Sequence, residues 1–547
     1  MAPGHEQIGL ARTRHTAAAP GTVLASAALA FITIAVAAAI GGLLAASPEG
    51  AGARLSGDPY IWRITRFTLW QAALSTLLSL LFAIPVARAL ARRAAFPGRG
   101  LIVRLLSLPL ALPQLVAVLG LLSVWGRAGW LAGIMRGMGM DATPDIYGLS
   151  GILLAHVFFN MPLATRLLAA ALERLPDEYW RLAEQLNMTP RAVFRLIEWP
   201  AMRAVLPGIA ALIFMLCAAS FTVVLTLGGG PAATTLEVAI YQALRFDFDP
   251  PRAVALALLQ LAMTAAVFLI LRRFATIAET GASLDRPVRR GDGAGPAAKL
   301  ADAFWLLTAT LFTAAPLAGV VLSGLRADLL RLLGEEALRE ALATSIALAF
   351  AAAATALALA WAMLLALRGP RGGLRRNALT KAGDLAASLI LVIPPVVIGA
   401  GWFVILLPAG RLDLWAPAVV ALINALMALP FVWRVLRPAF AQSQRRYGRL
   451  CAQLGLGGWS RLRLVDWPML RRPAGLAGAL ALALSIGDLG AIALFGSENF
   501  RTLPWLLYQR LGSYRTADAA GLALILLALV LALMSLAEWL GGRKEHA

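Results

Sequence analysis

Apolar runs long enough to cross a bilayer recur along the whole chain, and this recurrence constrains the fold more than any other feature. A helix needs about 20 mostly apolar residues to traverse the hydrocarbon layer. Twelve stretches qualify, near 20–46, 65–90, 101–125, 147–171, 205–227, 253–271, 301–324, 341–367, 385–407, 415–436, 474–496 and 519–541. A soluble fold of 547 residues has too little interior for a chain that is 60% hydrophobic. The same fraction excludes a disordered chain. Cys217 and Cys451, the only cysteines, exclude a disulfide framework or a sulfur-built metal site. The first run is longer than the apolar core of a secretory signal and reads as a retained helix.

Charge sets the orientation, because Lys and Arg near span ends stay in the cytoplasm. The chain has 49 Lys+Arg against 29 Asp+Glu, a net of +20. With the N-terminus inside, 35 of the 49 bases and 14 of the 29 acids fall on the cytoplasmic side, which leaves the outside nearly neutral. Both termini are then cytoplasmic. Pairs such as Arg92-Arg93, Arg289-Arg290 and Arg445-Arg446 read as orienting charges, and no nucleic-acid partner is expected. Lys occurs only at 299, 381 and 544 and no GxxxxGK[ST] is present, so ATP chemistry has to belong to a partner.

A displacement of 268 residues aligns Pro162–Gly228 with Pro430–Gly496 without a gap. Matches include Arg166/Arg434, Tyr179/Tyr447, Arg181/Arg449, Gln185/Gln453, Trp199/Trp467 and Pro200/Pro468. After a one-residue shift Thr235-Leu236 meets Thr502-Leu503, and Tyr241-Gln242 meets Tyr508-Gln509. Six spans per repeat is an even number, so the two copies enter the membrane with the same orientation. The expected architecture is all-α and polytopic, with two parallel homologous six-helix halves and a shared pathway between them. Its segments are a tail 1–19, a first half 20–273 with its core from about 65, a Gly- and Arg-rich linker 274–299, a second half 300–541 with its core from about 340, and a tail 542–547.

The best-matched stretches are two charged loops assigned to the cytoplasm, 172–204 and 440–472. In the first, Pro176-Asp177-Glu178 starts a helix, and Tyr179, Leu182, Ala183 and Leu186 fall at i, i+3, i+4 and i+7. Tyr447, Leu450, Cys451 and Leu454 repeat the stripe. A short amphipathic helix outside the bilayer is expected in each, at 177–187 and 445–455. A second helix capped by Thr189-Pro190 is expected in the first loop, and a turn at Gly457-Gly458 in the second. Two copies of one apolar face suit a two-fold partner with two equivalent grooves. The alternative is packing on the membrane or on their own spans.

Loops of this form resemble the EAA loops of ABC importer permeases of the type-1 fold. The resemblance implies two separate ABC ATPase subunits docked on these helices and a periplasmic substrate-binding protein. It also implies ATP and Mg on the ATPase partner, and no catalytic residue, metal or cofactor on this chain. The family's loop reads Glu-Ala-Ala with Gly six residues after the Glu. Here the triplets are Arg181-Leu182-Ala183 followed by Asn187, and Arg449-Leu450-Cys451 followed by Gly455. The Glu is missing from both, so any ion pair or cap it makes in the family is not carried over. The helix and its apolar face are. More specific strings are Ser220-Phe221-Thr222, Leu227-Gly228-Gly229-Gly230-Pro231, Phe246-Asp247-Phe248-Asp249-Pro250, Ser485-Ile486-Gly487-Asp488 and Gly512-Ser513-Tyr514-Arg515. They resemble the permeases of thiamine ABC transporters, with fused ferric-iron permeases as the nearest alternative. A secondary transporter would have no use for two docking helices, and no cluster suited to an integral-membrane enzyme is visible.

Polar residues inside the spans mark the pathway. Asp488 is the only charge in 474–496, its repeat counterpart is Ser220, and an acid there would favour a cation such as thiamine. Capping of a broken helix at Gly487 or Gly490 is the competing role. Gln114, Asn160 and Asn424 are further pathway candidates, each with packing between spans as the competing and favoured role, and His156 reads as an interhelical donor. Pro113 and Pro394-Pro395 should kink their spans. The outside loops 228–250 and 497–517 are where a binding protein would deliver its cargo.

Overall fold

The computed structural model of the protein describes residues 20–47, 57–93, 95–140, 145–272, 290–293, 295–368, 374–410 and 412–540. Both tails and the linker stretch 273–289 lie outside them. The described residues are almost entirely helical. Among the described residues eleven helical stretches are long and apolar enough to cross a membrane, and a bent pair makes twelve when counted as one span.

The first half contains α1 (Pro20–Ala45), α2 (Pro59–Arg92), α3 (Arg99–Leu105), α4 (Gln114–Trp125), α5 (Leu149–Glu173), α6 (Asp177–Gln185), α7 (Trp199–Ala218), α8 (Thr222–Leu227), α9 (Leu236–Arg245) and α10 (Pro250–Arg272). The second contains α11 (Pro296–Leu325), α12 (Glu336–Leu365), α13 (Leu374–Ile390), α14 (Pro395–Leu406), α15 (Leu412–Gln453), α16 (Trp467–Ile486), α17 (Gly490–Phe495), α18 (Leu503–Gly512) and α19 (Thr516–Leu540). Pro296, near the end of the expected linker, opens α11.

Proline breaks the ninth span and sets the start of the third, which runs over Gln114–Gly137 instead of the expected 101–125, as its missing N–H and its ring require. Residues 106–113 separate α3 from α4, and α13 and α14 meet at an 89° bend before Pro395. The fifth and eleventh spans break at the same repeat position, between α7 and α8 and between α16 and α17. Each of these spans also begins with a π-helical turn, Phe194–Glu198 in one half and Leu462–Asp466 in the other. The repeat thus extends to the irregularities of the backbone.

The first helix of each half packs on the other half. α1 lies against α12 and α14, and α11 lies against α4 and α2, while each also touches the last span of its own half, α10 and α19. Small residues allow the close crossing. A Cβ on Gly401 would sit 2.3 Å from the carbonyl oxygen of Ala39, and one on Gly120 would sit 2.4 Å from that of Pro316.

Candidate coupling surface and pathway

In the first loop, α6 presents Tyr179, Leu182 and Leu186 outward, about half exposed or more. Arg181 is also exposed. In the second, Leu450, Leu454 and Arg449 are exposed and Tyr447 is half-buried. Ala183 and Cys451 face the other way: both are buried, so they anchor the stripe instead of forming its outer surface. The helix ends match as well. Asn187 (φ 47°) and Gly455 (φ 64°) both take the left-handed conformation. Behind them Met188 donates to Ala183 O at 2.9 Å and Leu456 to Cys451 O at 2.8 Å, which closes the same C-terminal cap on each. Asparagine tolerates the conformation that Gly455 adopts freely, so loss of the glycine in the first loop leaves the turn intact.

The second amphipathic segment is not a separate helix. α15 runs unbroken from Leu412 to Gln453, span and stripe together, whereas Pro176 separates α5 from α6. The repeat counterpart of Pro176 is Gln444, which lets the helix continue.

Each loop returns to the membrane over a buried acid that sequence reasoning did not single out. Glu198 and Asp466, one residue before each Trp-Pro, are fully buried. Glu198 pairs with Arg88 at 2.5 Å and with Arg290 at the end of the linker. The Arg290 guanidinium stacks 3.8 Å from the ring centre of Trp180, the buried face of α6. Asp292 and Asp302 extend the network, pairing with Arg92 at 3.2 and 3.1 Å. Burial works to raise the Asp292 carboxyl, but Arg290, Arg92 and Arg88 hold it below the usual range. Asp466 instead takes Arg368 at 2.7 Å. The only available signal was the recurrence of an acid before Trp-Pro, because the partners of Glu198 lie 110 and 92 residues away.

Three helix breaks converge at the interface of the halves. Gly487 abuts Pro113, with a Cβ there 3.0 Å from Pro113 Cα, and a Cβ on Gly490 would be 3.8 Å from Pro395. Gln114, which is exposed, and Asp488, which is half-buried, are therefore neighbours in the fold. Both Asp488 oxygens accept backbone N–H groups, from Gly490 at 3.2 Å and Ala491 at 3.0 Å, so the carboxylate caps α17. Ser220 stands at the equivalent break, buried, with no partner for its hydroxyl among the described residues. The other polar residues belong to the packing within each half. Asn160 Nδ2 donates to Cys217 Sγ at 3.3 Å, Asn424 Nδ2 to Ser485 Oγ at 3.0 Å, and His156 Nδ1 bonds Ser75 at 2.9 Å.

The segments expected as outer loops are largely buried helices. α9 is buried along almost its whole length and packs on α14 and α17 of the other half. Arg245 Nη2 donates across the halves to Gly496 O at 3.0 Å. Glu237, in the first turn of α9, is fully buried with no hydrogen-bond partner on either oxygen. Several turns stay open, and among them Phe246, Phe248 and Tyr514 are between 64% and 91% exposed.

Two parallel six-span halves, each carrying the same exposed apolar stripe, define a membrane permease. Residues 83–278 match the family described as binding-protein-dependent transport system inner membrane component. The thiamine transport system permease protein of Brucella abortus is 53% identical over 537 residues, 98% of each chain. That of Escherichia coli is 43% identical over 536 residues, covering 97% of this chain and 99% of its own. The sulfate transport system permease protein of Salmonella typhimurium is 30% identical over 201 residues, 37% of this chain and 71% of its own. The chain belongs to the family of thiamine transport system permease proteins.

Proposed function

We propose that this chain is the membrane-spanning subunit of an ATP-driven importer that carries thiamine across the inner membrane, with both termini in the cytoplasm. Two ATPase subunits, which hold ATP and Mg, dock on the stripes at Tyr179, Leu182 and Leu186 and at Leu450 and Leu454. A periplasmic binding protein delivers cargo at the opposite end, where Phe246, Phe248 and Tyr514 project. Gln114 and Asp488 border the route between the halves, and the chain itself performs no covalent chemistry.

The observation that carries the reading is an exposed apolar stripe present twice at equivalent repeat positions and closed by the same cap, in a chain 53% identical end to end with a thiamine permease. Closure of the ATPase dimer would move both stripes. In the second half α15 transmits that movement along one continuous helix, and in the first half the joint at Pro176 passes it through the ion pairs around Glu198. The deciding experiment reconstitutes the permease with its ATPase and binding protein and measures ATP hydrolysis with and without thiamine. Stimulation by thiamine is expected. Stimulation by ferric iron alone would overturn the assignment.

A further inference from the structure

We propose that Glu237 is a contact for the positively charged ring of the cargo at the outer end of the pathway, covered when the halves close and presented when they part. The proposal rests on the thiamine reading above and deepens it by naming a residue of the route.

A buried carboxylate without a partner is costly, and folds keep such groups where they have work to do. Glu237 has no relative exposure, neither oxygen accepts a hydrogen bond, and no ion pair reaches it among the described residues. Its place in the fold is specific. Glu237, Tyr241 and Arg245 recur at i, i+4 and i+8 and so share one face of α9. Arg245 on that face bonds Gly496 of the other half. Tyr241 packs edge-on against Phe221 at 5.4 Å and Phe246 at 5.6 Å. Burial, and then the neighbouring Tyr508 of the other half, push the Tyr241 phenol up to about 12.

A carboxylate one turn from an aromatic cluster matches an aromatic cation: the acid offsets the charge and the rings face the ring. The unpartnered hydroxyls of Thr235 and Ser220, on either side of α8, add hydrogen-bonding capacity. The repeat counterpart of Glu237 is Pro504, so the acid occurs once, as a single cargo molecule requires. Burial pushes the Glu237 carboxyl up to about 8, which disfavours its charge in the closed arrangement. Hydration on opening returns its charge.

The test uses the whole complex in proteoliposomes. The wild type is assayed with thiamine and, in parallel, with ferric iron, and the variants are read on whichever cation it carries. Failure of the thiamine reading is then a separate result from failure of the Glu237 proposal. Glu237→Gln keeps the shape and removes the charge. It is expected to lower cargo delivered per ATP hydrolysed at least tenfold, while hydrolysis stimulated by the loaded binding protein and the thermal midpoint stay at wild-type values. Glu237→Asp should restore most of the transport. Wild-type delivery by Glu237→Gln would overturn the proposal. So would a parallel loss of uptake, hydrolysis and thermal stability, which would mark a packing role.

Discussion

Glu198 and Asp466 carry charge into places with no exposed surface, and the fold tolerates this only because arginines converge on them. Removing one member of a buried pair leaves the other uncompensated, at a cost of about 3–5 kcal/mol. Glu198→Ala and Asp466→Ala should each lower the thermal midpoint of the purified permease clearly. Arg368→Ala combined with Asp466→Ala should cost less than the two single changes together, which a double-mutant cycle on unfolding measures. Asn187 makes a finer point. A β-branched residue forced into its left-handed conformation loses roughly 1–2 kcal/mol, so Asn187→Val should fray α6 and reduce coupled transport, whereas Asn187→Gly should be neutral or mildly stabilising. The roles of these residues were legible to different degrees. Both loops ended visibly in an acid before Trp-Pro, but the ion pairs run to α2 and the linker, which no local pattern connects to the loop. Asp488 was visible as a lone charge in a span, and the structure adds a backbone N–H group on each of its oxygens.

At the scale of elements, the two coupling segments share a surface and differ in how they are mounted. The stripe on α6 hangs from a proline joint and is fixed from behind by Trp180 under Arg290, whereas the stripe on α15 is the end of a 42-residue helix. A charge on the outer face, as in Tyr179→Asp or Leu450→Asp, should uncouple ATP hydrolysis from uptake while the chain still inserts, read as thiamine delivered per ATP. Gln444→Pro should install in the second half the joint the first half has, and the same ratio should fall. At the other end, Phe248→Asp and Tyr514→Asp should weaken capture of the binding protein with little effect on basal hydrolysis, as a pull-down with the loaded binding protein measures. The apolar periodicity gathered Tyr179, Leu182 and Leu186, and Leu450 and Leu454, into two stripes that are exposed, but it also included Ala183 and Cys451, which are buried. It could not say that the second was continuous with its span, although Gln444 in place of Pro176 was the cue. It also left α9 and α18 as outer loops, because a short buried helix between two spans has no composition of its own.

The molecule as a whole is two repeats that have exchanged their first helices. Parallel halves followed from counting spans, but the exchange did not, since a strongly apolar helix reads the same whichever bundle it joins. The close crossings give it a test. Gly401→Leu should loosen α1 from the second half, and Gly120→Leu should loosen α11 from the first, each by displacing a backbone carbonyl now within 2.4 Å of the new Cβ position. Limited proteolysis should then open the half whose borrowed helix was displaced and spare the other. The exchange also sets an order of events during synthesis. When α1 enters the bilayer, α12 and α14 have not been translated, so it waits in lipid without its main partners, held by its own apolar surface. α11 arrives to find α2 and α4 already in place. The first half of the newborn chain is thus completed by the second, and a ribosome that stalls between them leaves a helix stranded in the membrane for quality control to recognise.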